Sequence, residues 1–291
     1  MKVLSIRGGG IRGLTPAVML AQLEVKVGPL YKQFDLIVGT STGAILATAL
    51  GLGIPAKEIV GFYFENGPEI FKRRWQHRLG LLGSKYSSDS LLAVLKRKFN
   101  DQRFSDCKTK TMVTSTELTR LSARFWKSWV HGMSAGVAAA SSAAAPTYFD
   151  PIHITDESGA TGYYADGSLF ANDPALYALS EAVELRGFQG MRNVKLIDIA
   201  CPSQKIKPAL GKGVIGFGPE ACEAFLEVGM DAVETTCARF LGDNYLRVEP
   251  QLGIASPALD DVSAKNLGDL QVAGFNEVQA IKRMETFLGE K

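Results

Sequence analysis

The chain has 291 residues, of which 46% are hydrophobic, and its formal net charge is only +2. That length and apolar content can form a sizeable core, and the near-neutral charge argues against a nucleic-acid partner. The four cysteines are far apart, with no C-x-x-C pair and no nearby histidine cluster, which argues against a zinc site or a disulfide framework (Cys107, Cys201, Cys222, Cys237). We therefore expect reduced thiols in a cytoplasmic protein.

Neither a leader nor a membrane span is expected. The apolar run at residues 1–6 is too short for a signal peptide and leads straight into glycines. The longest apolar stretch, residues 44–56, contains two glycines and a proline and falls short of the roughly 20 residues that a spanning helix needs. With no linker and no internal repeat, residues 1–291 are predicted to form a single domain.

The first third of the chain predicts a β-α-β unit. Residues 2–6 are typical of a buried strand, and a glycine-rich loop follows it. A helix then begins with Thr15 as its predicted cap and Pro16 in its first turn, and it stops at Gly28. The next strand, at residues 36–38, has no polar alternation, as expected for a parallel strand covered on both faces.

The end of this second strand carries the most informative motif. Gly39, Ser41 and Gly43 spell G-x-S-x-G between a buried strand and an apolar helix at residues 44–50. This is the nucleophile elbow, in which a tight turn lifts one hydroxyl above the sheet and glycines avoid clashes with strand and helix. Ser41 is thus the candidate nucleophile.

The loop after the first strand supports two interpretations (Gly8, Gly9, Gly10, Ile11, Arg12, Gly13). Its G-x-G-x-x-G spacing matches a dinucleotide-binding fingerprint, which would make the chain a nucleotide-binding module. That fingerprint requires an acid at the far end of the next strand, where this chain has Ser41, while Asp35 precedes the strand. Backbone N–H groups of a glycine loop at a helix start can instead stabilise the oxyanion of acyl transfer. We favour the oxyanion hole.

Later elements follow in chain order. They are helices at 54–67, at 88–99 with Ser88 or Asp89 as cap, and at 136–145, strands at 111–116, 123–129, 163–166, 194–200 and 245–248, and helical regions at 219–241 and 263–288. Residues 71–83 place four cations and a tryptophan beside an apolar, glycine-broken tail. This segment fits either an interfacial lid that meets anionic lipid or a solvated loop, and both interpretations stay open.

The histidines give no clear general base for the serine. In the α/β-hydrolase order the histidine follows the acid, but the three histidines all lie at or before residue 153 (His77, His131, His153). His153 is the best placed of them. A desolvated carboxylate could act on the serine directly, and Asp166, in an Asp-Gly turn after an aromatic strand, is the leading candidate. On spacing alone, an ordinary β-turn is the better interpretation of this Asp-Gly pair.

Four blocks in order resemble the patatin-like phospholipases. They are the glycine loop at 8–13, the elbow at 39–43, the alanine-rich block at 142–149 and the Asp-Gly-Ser motif at 166–168. The resemblance implies a three-layer α/β fold with a central, mostly parallel sheet between helices. It also implies a catalytic dyad without histidine, in which Ser41 attacks the ester, Asp166 accepts its proton, and the amides of Gly9, Gly10 and Ile11 hold the oxyanion.

Two positions depart from the family pattern. Arg7 stands where the family commonly has aspartate, and Ser168 occupies the third position of the aspartate motif, where the family has glycine or alanine. Arg12 matches the usual basic residue, which could orient the loop or meet a phosphate.

The sequence thus predicts a lipid acyl hydrolase that cleaves carboxylic esters of membrane phospholipids or galactolipids and needs no metal or organic cofactor. Peripheral contact with a membrane is compatible with such a substrate, and no oligomeric state is predicted. Some bacterial relatives are effectors that a small nucleotide signal activates, an alternative that no motif of this chain identifies.

Overall fold

The computed structural model describes residues 1–73, 83–156, 159–204 and 213–289, with only the backbone described over 213–225. The strands are β1 Lys2–Ile6, β2 Leu36–Gly39, β3 Lys110–Glu117, β4 Ser122–Lys127, β5 Ile152–Thr155, β6 Thr161–Asp166, β7 Lys195–Ile199 and β8 Tyr245–Val248. The helices are α1 Leu14–Val27, α2 Thr42–Leu52, α3 Ala56–Ile70, α4 Ser88–Lys98, α5 Ala135–Ala143, α6 Ser168–Ala171, α7 Ala175–Arg186, α8 Gly213–Leu241, α9 Ala264–Asn276 and α10 Val278–Gly289.

The described strands form one mixed sheet in the order β5-β6-β3-β2-β1-β7-β8, with β4 also paired to β3. Strands β3, β2, β1, β7 and β8 are parallel neighbours, whereas β4, β5 and β6 join through antiparallel pairs. Helices connect the parallel strands because a parallel partner can be reached only through a crossover. The predicted mostly parallel α/β sheet is confirmed.

Two apolar layers cover the sheet. Along β1 and β2, Leu4, Ile6 and Ile37 face a larger core that includes α1 to α5, α9 and α10. Val3 and Val38 face a smaller core formed with α7 and the C-terminal end of α8. Because successive side chains of a strand point to opposite faces, burial on both faces explains the unbroken apolar runs in the sequence.

Strand β3 places the ends of two other strands next to each other. Strand β4 pairs with β3 along 112–117, so it occupies one edge. Strands β2 and β6 each pair with residues of β3 that β4 also pairs with, so both must lie on the edge of β3 opposite β4. On that edge Gly39 pairs with Val113, and Asp166 pairs with Ser115. Two residues of a strand span about 7 Å. The last residues of β2 and β6 are thus brought together although they are far apart in sequence.

Several predicted boundaries need correction. Helix α1 begins at Leu14, so Thr15 is not its cap, and the Thr15 hydroxyl donates to the carbonyl of Leu270 (3.0 Å). Ser87, not Ser88 or Asp89, caps α4 by accepting from the amide of Ser90. The C-terminal helical region is two helices separated at Glu277. Most of the 71–83 segment, residues 74–82, lies outside the described residues.

Candidate active site

Ser41 has the backbone geometry of a nucleophile elbow. It lies between β2 and α2 with φ 57° and ψ −126°, a conformation that a non-glycine residue rarely adopts. A Cβ atom on Gly39 would clash with the carbonyl of Gly43, and one on Gly43 would clash with the carbonyl of Ile6. Strand, turn and helix can approach this closely only because both positions lack a side chain.

The end of the alanine-rich helix α5 holds both Ser41 and Asp166. The amide of Ser41 donates to the Ser142 hydroxyl (2.9 Å), and the amide of Asp166 donates to the carbonyl of Ala144 (3.0 Å). On the other side, the Thr116 hydroxyl of β3 donates to the carbonyl of Asp166 (2.9 Å). The small side chains of α5 let its backbone approach the sheet closely enough to fix the two residues relative to each other.

The Asp166 carboxyl group is only 1% exposed, and its two oxygens have different surroundings. Oδ1 accepts from the amide of Ser168 (2.7 Å), whereas buried Oδ2 has no regular hydrogen-bond partner in the described part of the chain. Burial raises the pKa of Asp166 to about 6, and hydrogen bonding from the Ser41 side chain opposes that rise. A carboxylate with this pKa, facing a serine hydroxyl, can accept its proton near neutral pH.

The glycine loop lies against Ser41 and offers two amides to the site. A side chain at Gly8 would come within contact distance of the Cβ of Ser41. In the described structure the amides of Gly9 and Gly10 donate to no protein group. Gly10 has φ +57°, and a Cβ atom there would clash with the carbonyl of Leu259. These two N–H groups can therefore hold a developing oxyanion.

The other residues of the loop make contacts within the protein. The amide of Gly8 donates to Asn172 (3.0 Å), that of Ile11 to Leu259 (2.8 Å), and that of Arg12 back to Gly9 (3.2 Å). Gly13 packs against Thr42, where a side chain would clash. The amides of Gly8, Ile11 and Arg12 therefore hold the loop in place and are engaged within the protein, whereas those of Gly9 and Gly10 remain candidates for the oxyanion.

A buried ionic cluster fixes the start of the loop. The Arg7 side chain is 2% exposed, and its Nη2 lies 2.5 Å from Oδ2 of Asp198 on β7 and forms an ion pair with Asp173. Asp198 also accepts from the Tyr245 hydroxyl (3.0 Å) and from Arg247 (3.3 Å). Burial, and then the charge of Asp198, raise the pKa of Asp173. The arginine that departs from the family pattern thus ties the loop to β7 and to the segment before α7.

Removal of this arginine should cost stability. We expect Arg7→Met to lower the free energy of unfolding by about 3–5 kcal/mol, because it removes the cation that pairs with buried Asp173 and leaves buried Asp198 with Arg247 alone. Urea unfolding measures the loss. Arg97→Met, which breaks an exposed pair with Glu69, is the matched control and should cost less than about 1 kcal/mol. Equal losses in both variants would contradict the assigned role of the cluster.

Ser41 and Asp166 open onto an apolar pocket of about 150 Å³. Its wall also contains the glycine loop and a set of aliphatic and aromatic side chains (Ile45, Phe62, Ile70, Phe71, Leu91, Phe149). Such a lining suits a hydrocarbon chain, since it excludes water from the tail next to the reacting ester.

The alternative site residues lie elsewhere. His153 is exposed on β5 with its ring against Tyr163, and the pocket does not include it or His131. His77 falls outside the described residues. Asp35 precedes β2, where its carboxylate accepts from the amide of Lys2 (2.7 Å), so it cannot serve as a ribose-binding acid at the far end of that strand.

Three residues that position the site were not identified from the sequence. Ser142 holds the Ser41 amide, and the carbonyls of Asn172 and Leu259 hold amides of the glycine loop. The alanine-rich block was a signal for Ser142. Asn172 and Leu259 act through backbone carbonyls, which every residue type has, so the sequence could not identify them.

A strained serine at the end of a parallel strand, beside a glycine loop with two available amides, is the arrangement of an α/β hydrolase. Comparison with known proteins agrees: a family model described as patatin-like phospholipase matches residues 4–179. The chain belongs to the patatin-like phospholipase family, and it is a lipid acyl hydrolase.

The relatives are bacterial and plant proteins. A cGAMP-activated phospholipase of Pseudomonas aeruginosa is 31% identical, with 95% of this chain and 87% of that protein covered. Patatin-17 of Solanum cardiophyllum is 36% identical over 63% of this chain and 53% of its own length. The structure of VipD from Legionella pneumophila superposes with a TM-score of 0.57, covering 97% of this chain and 66% of that one, at 13% identity. This last likeness shows the fold alone.

Proposed function

We propose that Ser41 and Asp166 form the catalytic dyad of this hydrolase. The observation that carries the proposal is the interaction of the Ser41 side chain with the buried carboxyl group of Asp166, whose Oδ2 has no regular partner among the described residues. Asp166 takes the hydroxyl proton as Ser41 Oγ attacks the ester carbonyl, and the amides of Gly9 and Gly10 stabilise the oxyanion. Asp166 then returns the proton to the departing alcohol.

Water resolves the acyl-enzyme by the same steps. Asp166 takes a proton from water, the hydroxide attacks the acyl carbonyl, and the proton returns to Ser41 as the fatty acid leaves. Nucleophile, base and oxyanion donors all come from the chain, so this mechanism requires no metal or organic cofactor. With a pKa of about 6, most Asp166 carboxyl groups are ionised at pH 7.

The pKa of Asp166 predicts a pH profile. Burial raises this pKa, so the basic form is lost as pH falls through about 6. We expect kcat/KM for an uncharged ester to be level above pH 7 and to fall tenfold per pH unit below about pH 5.5. Initial rates in buffers of constant ionic strength test this. A level profile down to pH 4.5 would contradict Asp166 as base.

The substrates we propose are membrane phospholipids or galactolipids, hydrolysed by a cytoplasmic protein in peripheral contact with the bilayer. The apolar pocket beside Ser41 supports an acyl chain as the bound group. None of the helices in the described ranges combines the length and apolarity that crossing a bilayer requires.

Mass spectrometry of the products tests the substrate class. Incubation with mixed membrane lipids should release free fatty acids and matching lysolipids, and enzyme pretreated with a fluorophosphonate should release neither. Unchanged lipids with the untreated enzyme, both with and without cyclic GMP–AMP, would overturn the proposal.

Activation by a nucleotide is a second candidate. The similarity to the cGAMP-activated phospholipase extends over nearly the full length of both chains, whereas the similarity to patatin-17 covers 63% of this one. Lipid hydrolysis assayed with and without cyclic GMP–AMP decides the question. A rise in rate of tenfold or more supports activation, and an unchanged rate of an already active enzyme excludes it.

We also propose that residues 1–291 act as one domain. Strand β8 extends the sheet next to β7, and α9 packs on α1 through the Thr15–Leu270 hydrogen bond, so the C-terminal region completes the same sheet and core.

A further inference from the structure

The residue before the nucleophile carries a buried hydroxyl group that the dyad mechanism does not use. Thr40 lies between β2 and Ser41, and its side chain is fully buried. Its Oγ1 lies 2.6 Å from the carbonyl oxygen of Ala171. It also lies 2.7 Å from Oγ1 of Thr114 on β3, which is fully buried as well. The hydroxyl of Thr40 thus contacts two segments that are distant from it in sequence.

The chemistry of the three groups fixes the direction of both hydrogen bonds. A carbonyl oxygen can only accept, so the single hydroxyl proton of Thr40 is donated to Ala171. The proton between the two threonines must then come from Thr114, which donates to Thr40. We call this ordered chain of Thr114, Thr40 and Ala171 the threonine bridge.

The threonine bridge contacts both ends of the turn that follows Asp166. Ala171 is the last residue of α6, which begins two residues after Asp166. Thr114 packs directly on Gly167, where a Cβ atom would clash with its Oγ1. The amide of Ala171 donates back to the carbonyl of Gly167 (2.9 Å), so the turn is closed on itself. A shift of this turn relative to Thr40 is therefore opposed at both of its ends.

We propose that Thr40 is a positioning residue, whose hydroxyl group sets the distance between Ser41 Oγ and the carboxyl group of Asp166. This role rests on the proposed function, because it is a role toward that dyad. The bonds to α5 fix the backbone amides of Ser41 and Asp166. The threonine bridge adds a direct link between the elbow and the turn after Asp166.

A second buried threonine lacks such a bond. Thr48 on α2 is fully buried, yet its hydroxyl group has no hydrogen-bond partner in the described part of the chain. Exchange of threonine for valine replaces the same atoms at both positions, but only at position 40 does it remove hydrogen bonds. Thr48→Val is therefore the matched control.

The first test compares Thr40→Val with Thr48→Val in the hydrolysis of a soluble fluorogenic ester. Valine keeps the shape of threonine but removes the hydroxyl group of the bridge. We expect kcat of Thr40→Val to fall about tenfold to a hundredfold while KM stays within about twofold, because a small displacement disturbs proton transfer but not the apolar pocket. Thr48→Val should keep the wild-type kcat. Thr40→Ser, which retains the hydroxyl group, should lie within about threefold of it.

A double-mutant cycle separates positioning from a general structural role. When Thr40→Val is added to Asp166→Asn, we expect a further loss of less than about twofold, because no proton acceptor is left to be positioned. The same fold loss in both backgrounds would overturn the inference. A kcat of Thr40→Val within about twofold of the wild-type value would overturn it too.

These outcomes also distinguish the role of Thr40 from the proposed function. Wild-type activity in Asp166→Asn would overturn the dyad, whereas a loss in that variant beside an unaffected Thr40→Val would overturn only the role of Thr40. Circular dichroism shows whether each variant is folded. Should Thr40→Val not fold, Thr114→Val decides, since it removes the other hydroxyl group of the bridge. A kcat at least about threefold below wild type then supports the bridge, and an unchanged kcat overturns it.

Discussion

The variant Ser41→Ala is expected to lose at least about 10⁴-fold in kcat/KM for any carboxylic ester, with an unchanged melting temperature. The loss is this large because no acyl-enzyme can form without the hydroxyl, and the remaining oxyanion donors cannot by themselves activate water. Alanine fits the buried turn, so the fold is retained. Hydrolysis of a fluorogenic ester, monitored beside thermal unfolding, measures both quantities.

The control for this variant is Ser122→Ala, which removes an exposed hydroxyl from the start of β4 and should keep full activity. Wild-type rates in the Ser41 variant would remove this residue from the mechanism, however well its backbone geometry fits an elbow.

The variant Asp166→Asn should lose about 10³-fold in kcat/KM. The amide keeps the size of the side chain and the oxygen that accepts from Ser168, but it cannot take the proton of Ser41. Its pH profile should also lose the fall below about pH 5.5 that protonation of Asp166 causes. Initial rates at several pH values measure both effects.

Two matched variants show whether this effect is specific. Asp243→Asn changes an exposed aspartate and should be neutral. His153→Ala should also be neutral, because this exposed side chain lies outside the pocket. Retained activity in Asp166→Asn together with loss in His153→Ala would instead point to a site based on histidine.

Much of the fold could be predicted because it depends on local patterns. The mainly apolar sequences of β1, β2 and β7 indicate strands buried on both faces, and the glycines around Ser41 identify the turn between β2 and α2. Helix starts were less accurate: Thr15, a good cap by residue type, lies inside α1 and donates to Leu270 instead. The start of α1 is thus set by its contact with α9 and not by the residue type at position 15.

The relation between Ser41 and Asp166 could not be predicted from spacing. Residue type and turn context made Asp166 a candidate base, and only the resemblance to a family favoured it over an ordinary turn. The relation depends on β2 and β6 sharing one edge of β3. This pairing is between distant parts of the chain, and neither the residue types nor the local pattern around Ser41 and Asp166 indicates it. The same holds for Arg7, whose partners Asp173 and Asp198 are ordinary aspartates in the sequence, and for the Leu259 carbonyl that occupies the Ile11 amide.

The central claim is that Asp166 activates the hydroxyl of Ser41, and the rate of labelling by a fluorophosphonate tests it most directly. Tandem mass spectrometry should find one label per chain, on Ser41, forming at a rate that falls as pH drops below about 6 and that is at least about a hundredfold slower in Asp166→Asn. A label on another residue, or equal labelling rates in the wild-type protein and the Asp166 variant, would contradict it.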